Sequence, residues 1–378
     1  MIYILFIFLI LYQILIIIFG SIKDFNKYKI NFKNYIMRFG FSSNLKKIDY
    51  LIHAVSCGEA MSCQPLINKI QEKKKKFLLS VHTPTGFNLI KKKVKKTVLK
   101  PFDTIPTMLY FLIKTRPKVL FIAESDTWPF MIIFSKMIGT KIYYINYKKK
   151  GYFRNIYHYL IADKIFLKID SNLKDNKYVN LGNLKWLSTK KIEDSKYDKT
   201  TIIISSAGKD EIDIHLKLIK NFPKINFIYV PRHLNWESHL KEKLESKQLN
   251  YYWLDNSEKI DELYKHNFTI VWTFGLLNKL YAKTHICLMG DTFNSVGGHN
   301  LVEPAIHQNA IILGPNYYTC QDLAEELEIV YAKNFDDLYK KLLNLLNTKS
   351  LIKLHGDNNY KIVKIRQNHI NDKLNLLI

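Results

Sequence analysis

Arginine is almost missing from a strongly basic chain. Of the 57 lysines and arginines in 378 residues, only Arg38, Arg116, Arg154, Arg232 and Arg366 are arginine, and the formal net charge is +24. Lysine in such excess, beside abundant isoleucine, asparagine and tyrosine, has two readings: compositional drift on solvated faces, or selection for an anionic partner such as an acidic membrane surface. Nucleic acid is the weaker partner, because the charge is spread along the chain and no RNA motif with stacking aromatics occurs. The scarcity also points to function. A surviving arginine offers a planar fork that binds phosphate or carboxylate in bidentate fashion, which lysine cannot reproduce.

Other absences narrow the field. Four scattered cysteines, Cys57, Cys63, Cys287 and Cys320, make neither a disulfide framework nor a CxxC zinc site, and suit a reducing compartment. There is no G-x-G-x-x-G fingerprint, no Walker-type lysine loop, no H-E-x-x-H and no D-x-D pair for a divalent metal on a sugar nucleotide, which weakens dehydrogenase, ATPase and metalloprotease readings. No low-complexity tract interrupts a composition that is 47% hydrophobic, so the chain is expected to fold throughout.

What is present begins with an apolar run from Ile2 to Phe19, broken only by Gln13 and followed by Lys23, Lys27 and Lys29. About 20 apolar residues cross a bilayer as a helix. Without a basic leader or an A-x-A cleavage site, the segment reads as an uncleaved anchor rather than a signal peptide. The lysines after it place the rest of the chain on the cytoplasmic side of the membrane. A buried core helix is the competing reading, but a helix of a soluble protein would normally show a polar face. The basic, aromatic stretch from Tyr28 to Asn44 suits a membrane surface.

Short apolar runs then alternate with segments of helical spacing. Tyr50–Val55, Phe77–Val81, Val119–Ala123 and Ile142–Ile145 read as buried parallel strands, with helices over Met61–Ile70, Thr104–Lys114 and Trp128–Ile138. A second series follows Lys199, with strands at Thr201–Ser205, Ile225–Val230, Tyr251–Leu254, Ile270–Trp272, Ile286–Met289 and Ala310–Leu313. Two βαβ series predict two doubly wound, Rossmann-like α/β domains. The expected organisation is an anchor (1–20), a first α/β domain (21–184), a second (185–350) and a lysine-rich helical segment (351–378). Ligands of such sheets bind beyond the carboxyl ends of the strands, so motifs there carry the functional weight.

Six constellations fall at those ends. In His53–Glu59 the strand enters a turn at Ser56 and Gly58, with Glu59 in the first helical turn, where a general base or a plain dipole-stabilised carboxylate would both sit. Thr83-Pro84-Thr85-Gly86 offers hydroxyls and backbone N–H groups to an anion, or simply caps a helix. Glu124 and Asp126 supply two carboxylates before Pro129, for acid/base work, hydroxyl binding or capping. In the second half, Lys209 follows the first strand and Pro231-Arg232-His233 the second, both suited to phosphate. Finally, Gly297-Gly298-His299-Asn300-Leu301-Val302-Glu303-Pro304 promises free backbone N–H groups for an anion and, at Glu303, a partner for ribose hydroxyls.

In their order and spacing, the anchor, Ser56-x-Gly58-Glu59, Thr83–Gly86, Pro101-x-Asp103, Glu124-x-Asp126-x-Trp128-Pro129, Gly182-Asn183, Pro231–His233 and Gly297–Pro304 closely resemble the 3-deoxy-D-manno-octulosonic acid (Kdo) transferases of lipid A biosynthesis. The resemblance implies a GT-B fold whose two domains face a cleft. It implies a lipid A precursor as acceptor on the first domain, CMP-Kdo as donor on the second, and inverting transfer without metal or other cofactor. Glu59 resembles the family's catalytic base, with Ser56, Gly58, Thr83, Thr85, Glu124 and Asp126 on the acceptor side. Lys209, Arg232, His233, Gly297, Gly298, Asn300 and Glu303 resemble the nucleotide side. Four stretches depart from the family. Asp126 stands for Glu, Asn146-Tyr147-Lys148-Lys149-Lys150 for Asn-Ala-Arg-Leu-Ser, Gly290-Asp291-Thr292 for Gly-Gly-Ser, and Trp272–Leu276 lacks two carboxylates. A different lipid acceptor, or a decayed member of weak activity, is the alternative these departures keep open.

Overall fold

The structure is a computed structural model and describes residues 2–378 apart from 44, 150, 170–174 and 256. Two compact units emerge, one comprising residues 1–188 with 369–378, the other residues 189–368.

The first unit is built on a seven-stranded, wholly parallel sheet: β1 (Tyr50–Ala54), β2 (Phe77–Val81), β3 (Thr97–Leu99), β4 (Val119–Ala123), β5 (Lys141–Tyr147), β6 (Lys164–Leu167) and β7 (Tyr178–Asn180). Their spatial order is β3-β2-β1-β4-β5-β6-β7. Every residue of β1 and β2 is buried, which is why these strands read as unbroken apolar runs rather than alternating ones. The expected strand cores are found where the hydrophobic runs lie. The expected single helix over Met61–Ile70 is instead two, Cys57–Ser62 and Gln64–Glu72. The break at Cys63 follows from Pro65, which has no N–H to donate to the preceding turn.

The chain reverses direction between β1 and β4. The sheet grows outward through β2 to β3 on one side and through β4 to β7 on the other, so the loops after β1 and β4 diverge and leave a crevice at their carboxyl ends.

Ahead of the sheet, the helix Ile2–Asn26 contains a 20-residue stretch, Ile7–Asn26, long and apolar enough to cross a membrane and almost entirely unburied. It runs past the expected end at residue 20. Ser21 returns its hydroxyl to the Ile17 carbonyl at 2.6 Å, and Asp24 is held by Arg38, whose Nε and a terminal nitrogen donate to its two oxygens at 2.7 and 2.9 Å. Gly20 lies so close to the loop after β3 that a Cβ would stand 2.5 Å from the Phe102 ring.

The second unit repeats the plan with β8 (Thr201–Ala207), β9 (Asn226–Pro231), β10 (Tyr252–Leu254), β11 (Phe268–Val271), β12 (Ile286–Met289), β13 (Ala310–Leu313) and β14 (Ile329–Tyr331), ordered β10-β11-β9-β8-β12-β13-β14 and again wholly parallel. Its switch point lies between β8 and β12. The helix Phe335–Asn347 covers this unit through buried Leu338, Leu342 and Leu345. The last helix spans Lys349–Leu377. Its residues through Asn368 cluster with the second unit, and His369 to Ile378 with the first, where the Ile378 carbonyl accepts from the Tyr50 hydroxyl at 3.2 Å.

Candidate functional site

At the β1/β4 switch point, Ser56 is the N-cap of helix Cys57–Ser62, and its hydroxyl accepts from the Glu59 amide at 3.2 Å. The Glu59 carboxylate turns back on the same loop. Its Oε2 accepts from the Val55 amide at 2.7 Å and its Oε1 from the Ser56 hydroxyl at 3.2 Å. This is a capping-box sequence, Ser-x-x-Glu, with the returning carboxylate on the amide before the cap. The capping and catalytic readings of Glu59 are therefore compatible, since the cap fixes the carboxylate at the mouth of the crevice.

Across the switch point, Glu124 and Asp126 follow β4. Glu124 adopts a left-handed φ of 55°, an unfavourable conformation for a side chain with a Cβ, pinned by its amide donating to the Ile145 carbonyl at 2.8 Å. Backbone strain of this kind gathers at functional sites. The backbone carbonyl of Asp126 accepts from the buried Tyr144 hydroxyl at 3.1 Å.

Glu59 thus shares one field with two carboxylates distant from it in sequence. Burial lifts the Glu59 carboxyl from 4.5 to about 7, with the charges of Asp126 and Glu124 adding to the rise and the bonds from Val55 and Ser56 opposing it. A carboxylate balanced near neutrality suits a general base.

The other first-unit residues are placed as follows. Thr83 caps helix Pro84–Ile90 and accepts from the Gly86 amide at 3.3 Å, so its hydroxyl is already engaged in the helix start. Thr85 is exposed in the first turn. A Cβ on Gly86 would stand 2.9 Å from the Cys57 amide nitrogen, which is how the Thr83 and Ser56 loops come together. Gly58 corrects an expectation. It has no positive φ, and a Cβ there would meet only the Ser56 hydroxyl, at 3.8 Å, so no tight turn requires glycine. Of the stretch Asn146–Lys150 at the end of β5, Asn146 accepts from the Leu184 amide at 3.0 Å, Lys148 and Lys149 are exposed, and Lys150 lies outside the described residues.

In the second unit a cavity of about 430 Å³ opens at the β8/β12 switch point, lined by Gly208, Lys209, Arg232, His233, Asp291 and His299 among others. The loops after β8 and β9 thereby bring Lys209, Arg232 and His233 together. Among the described residues, neither Arg232 nor Lys209 takes part in an ion pair, and both are exposed. Asn300 and Glu303 are not in the cavity lining. They bond to each other, Nδ2 to Oε1 at 3.0 Å, and burial raises the Glu303 carboxyl above its ordinary value.

Gly297 and Gly298 also depart from expectation. Their amides do not face an anion: both donate to the Asp291 carbonyl, at 2.9 and 2.8 Å. Glycine is needed there for another reason. The φ values are 96° and 82°, and a Cβ would strike the Tyr318 ring at 2.7 Å in one case and Cys320 Sγ at 2.9 Å in the other.

Glu211, which sequence reasoning missed, and Asp291 and His299, to which it gave no role, organise this cavity. Buried Glu211 accepts from the amides of Asp291 and Phe293, pinning the loop after β12. Asp291, at a left-handed φ of 59°, accepts from the Asn294 side chain at 2.7 Å and pairs with His299 Nε2 at 2.8 Å. Burial holds the His299 imidazole below its usual range, Asp291 opposes this, and the neighbouring charges of Arg232 and His233 reinforce it. Only the replacement of Gly-Gly-Ser by Gly290-Asp291-Thr292 signalled the difference in advance. Gly208 shows how closely the loops meet, since a Cβ there would lie 1.9 Å from Asp291 Oδ1.

Comparison with known proteins agrees with this layout. Residues 33–152 match the family model described as 3-deoxy-D-manno-octulosonic-acid transferase (kdotransferase). A 3-deoxy-D-manno-octulosonic acid transferase of Aquifex aeolicus is 32% identical over 181 residues, covering 46% of this chain and 49% of that protein. A bifunctional glycosyltransferase/methyltransferase of Fusobacterium nucleatum is 29% identical over 189 residues, covering 46% of this chain and 30% of its own. The chain thus spans half or less of the length of these relatives. In structure it is similar to a glycosyltransferase from Rickettsia africae, with a TM-score of 0.58 at 12% identity over 87% of this chain and 97% of the other, a likeness of fold alone. The family model and these partial relatives make the chain similar to 3-deoxy-D-manno-octulosonic acid transferases over less than half of its length, and the two doubly wound parallel sheets give it the GT-B fold.

Proposed function

We propose that the chain transfers Kdo from CMP-Kdo to a lipid A precursor at the cytoplasmic face of the inner membrane, held there by its N-terminal helix. The observation that carries this reading is the Glu59 carboxylate, fixed by Val55 and Ser56 and balanced near neutral pH at the switch point of the first sheet. In the reaction an acceptor hydroxyl attacks the anomeric carbon of Kdo from the face opposite CMP. Its proton passes to Glu59, the new carbon–oxygen bond forms, and the bond to the phosphate oxygen breaks with its electron pair leaving on CMP. Glu124 and Asp126 orient acceptor hydroxyls and keep Glu59 basic.

The second unit supplies the charge that the leaving group needs. Arg232, with Lys209 and His233, faces the CMP phosphate or the Kdo carboxylate, where preorganised cations stabilise developing negative charge. Asn300 and Glu303 serve the nucleotide ribose, and Gly297 and Gly298 hold the loop that carries them. No step draws on a metal or other cofactor.

The test is incubation of the purified full chain in detergent with CMP-Kdo and a tetraacylated lipid A precursor, following CMP release and product mass. Turnover with addition of Kdo mass, lost on the order of 10²–10⁴-fold in Glu59→Gln, supports the proposal; turnover unaffected by that change, or none with any lipid acceptor, refutes it.

A further inference from the structure

A second cavity, of about 240 Å³, lies in the first unit where the N-terminal helix meets the loops after β2, β3 and β4. Glu59 does not line it. At this volume it falls below the ~300–1,000 Å³ of whole small-molecule sites, so it suits a chemical group rather than a sugar. One wall is apolar, formed by Tyr12, Ile16 and Gly20 of the membrane-length helix. The opposite wall carries Lys100, His82 and Trp128.

That second wall is poorly satisfied. Lys100 is buried, and its ammonium lies 3.8 Å from the centroid of the Trp128 ring. Its polar partners are the Pro101 carbonyl at 3.1 Å and an Asp103 oxygen at 3.8 Å. Desolvation draws the ammonium down to about 7 against the opposing pull of Asp103. Trp128 Nε1 and His82 Nδ1 are both buried and find no hydrogen-bond partner among the described residues, a costly state for polar groups.

The remaining charges at the cavity are spoken for. Asp24 and Arg38 neutralise each other in a bidentate pair; Asp103 faces Lys100 at 3.8 Å with its two oxygens taken by the amides of Phe130 and Met131 at 3.2 and 3.0 Å, and Lys23 leaves the balance positive. What is left facing the space is cationic and donor-rich: Lys100, the indole N–H, an imidazole nitrogen and exposed Lys23. A group with several acceptor oxygens and negative charge answers all of them. Because the other wall is the apolar helix, the group arrives attached to a chain that stays in the bilayer.

We propose that this cavity binds the phosphomonoester headgroup of a membrane lipid, with Lys100, Trp128 Nε1 and His82 as its ligands. The proposal deepens the acceptor half of the function proposed above and rests on that reading only for the identity of the lipid. A phosphate seated here anchors the lipid beside the Thr83 loop, and through Gly86 that loop packs against the one carrying Glu59.

The experiment needs no sugar donor, so its outcome is independent of whether Kdo transfer is observed. The full-length protein in neutral detergent is titrated with phosphatidate or with phosphatidylcholine, reading tryptophan fluorescence and thermal midpoint; inorganic phosphate is the soluble competitor. Phosphatidate is expected to saturate and phosphatidylcholine not to. Lys100→Met and Trp128→Phe should each weaken phosphatidate binding on the order of tenfold or more, while Lys141→Met, exposed at the amino end of β5, should leave it unchanged. The thermal midpoint without lipid checks that the variants fold; Trp128→Phe keeps an aromatic ring but removes the indole N–H and that fluorophore, so its binding is read from the lipid-induced shift of the midpoint. Equal binding of the two lipids, equal losses in all three variants, or no loss in either site variant overturns the proposal. Inorganic phosphate binding as tightly as phosphatidate overturns the lipid as the source.

Discussion

Ser56 and Glu59 cap one another: the serine hydroxyl accepts from the Glu59 amide at 3.2 Å and also contacts the Glu59 carboxylate at 3.2 Å. One residue thus starts the helix and aims the proposed base. Ser56→Ala removes both bonds. Loss of the cap is expected to lower stability by about 1 kcal/mol. The bond from Ser56 also lowers the Glu59 pKa, so its removal raises that pKa and moves the acidic limb of the rate profile, where the base ionises, to higher pH. A kcat/KM titration across pH 5.5–9 checks this (roughly the range in which such a group titrates). A fall in rate with no shift of the limb would mean that Ser56 acts on the helix alone.

Glu59 also couples stability to pH, in the direction opposite to activity. Its carboxyl is raised from 4.5 to about 7 on folding, so between those values the native state holds a proton that the unfolded state has lost. Stability conferred by the protonated group is present below 4.5 and is lost as pH rises through 7. The site is partly solvated, so the full conversion is discounted to on the order of 1 kcal/mol. Glu59→Gln, which keeps an acceptor for the Val55 amide, is expected to raise the thermal midpoint relative to the parent at pH 8 but not at pH 4.5, while abolishing transfer. Thermal melts of the two proteins at both pH values measure it.

The apolar runs made the sheets legible because parallel strands covered on both faces must be hydrophobic along their whole length; Phe77–Val81 and Ala310–Leu313 are the strands that such runs predict. Thr97–Leu99, Lys164–Leu167, Tyr178–Asn180 and Ile329–Tyr331 were missed because three or four residues carry little periodicity to separate from loop, whereas the equally short Tyr252–Leu254 showed through its aromatic residues. At the site, residue types at strand ends were readable and their bonding was not. The Gly297 and Gly298 amides looked free until Asp291, several residues earlier, was found to take both. Glu211 carried no signal, since a carboxylate beside Lys209 and Asp210 reads as surface until the fold buries it under the loop after β12.

Arg232 tests whether arginine was retained for its shape. It lines the second-unit cavity with Lys209 and His233, and its backbone is fixed by the amide donating to the Ala207 carbonyl at 2.9 Å. Arg232→Lys preserves the charge and loses the fork. The expected result is a CMP affinity weaker by roughly tenfold, the value of one hydrogen bond to a charged group, with the thermal midpoint unchanged. Calorimetric titration with CMP reads it. Equal affinity would reduce Arg232 to a general contributor of positive charge.

Two glycines of nearly equal φ separate backbone strain from packing in the same unit. Gly275 has φ 87° with nothing within 4 Å of a Cβ, whereas Gly297 has φ 96° with the Tyr318 ring 2.7 Å away. Alanine at 275 therefore bears only the left-handed conformation, about 1 kcal/mol. Alanine at 297 bears that and the displacement of Tyr318, about 2 kcal/mol or more. The consequences for function differ further. The Gly297 amide donates to the Asp291 carbonyl, and Asp291 holds His299 at 2.8 Å, so moving the 297 backbone disturbs the cavity wall while the 275 loop lies outside its lining. Gly297→Ala is expected to lower the thermal midpoint more than Gly275→Ala and to weaken CMP binding severalfold, with Gly275→Ala leaving CMP binding intact. Equal effects of the two substitutions on CMP affinity would show that the glycine loop serves the fold and not the ligand.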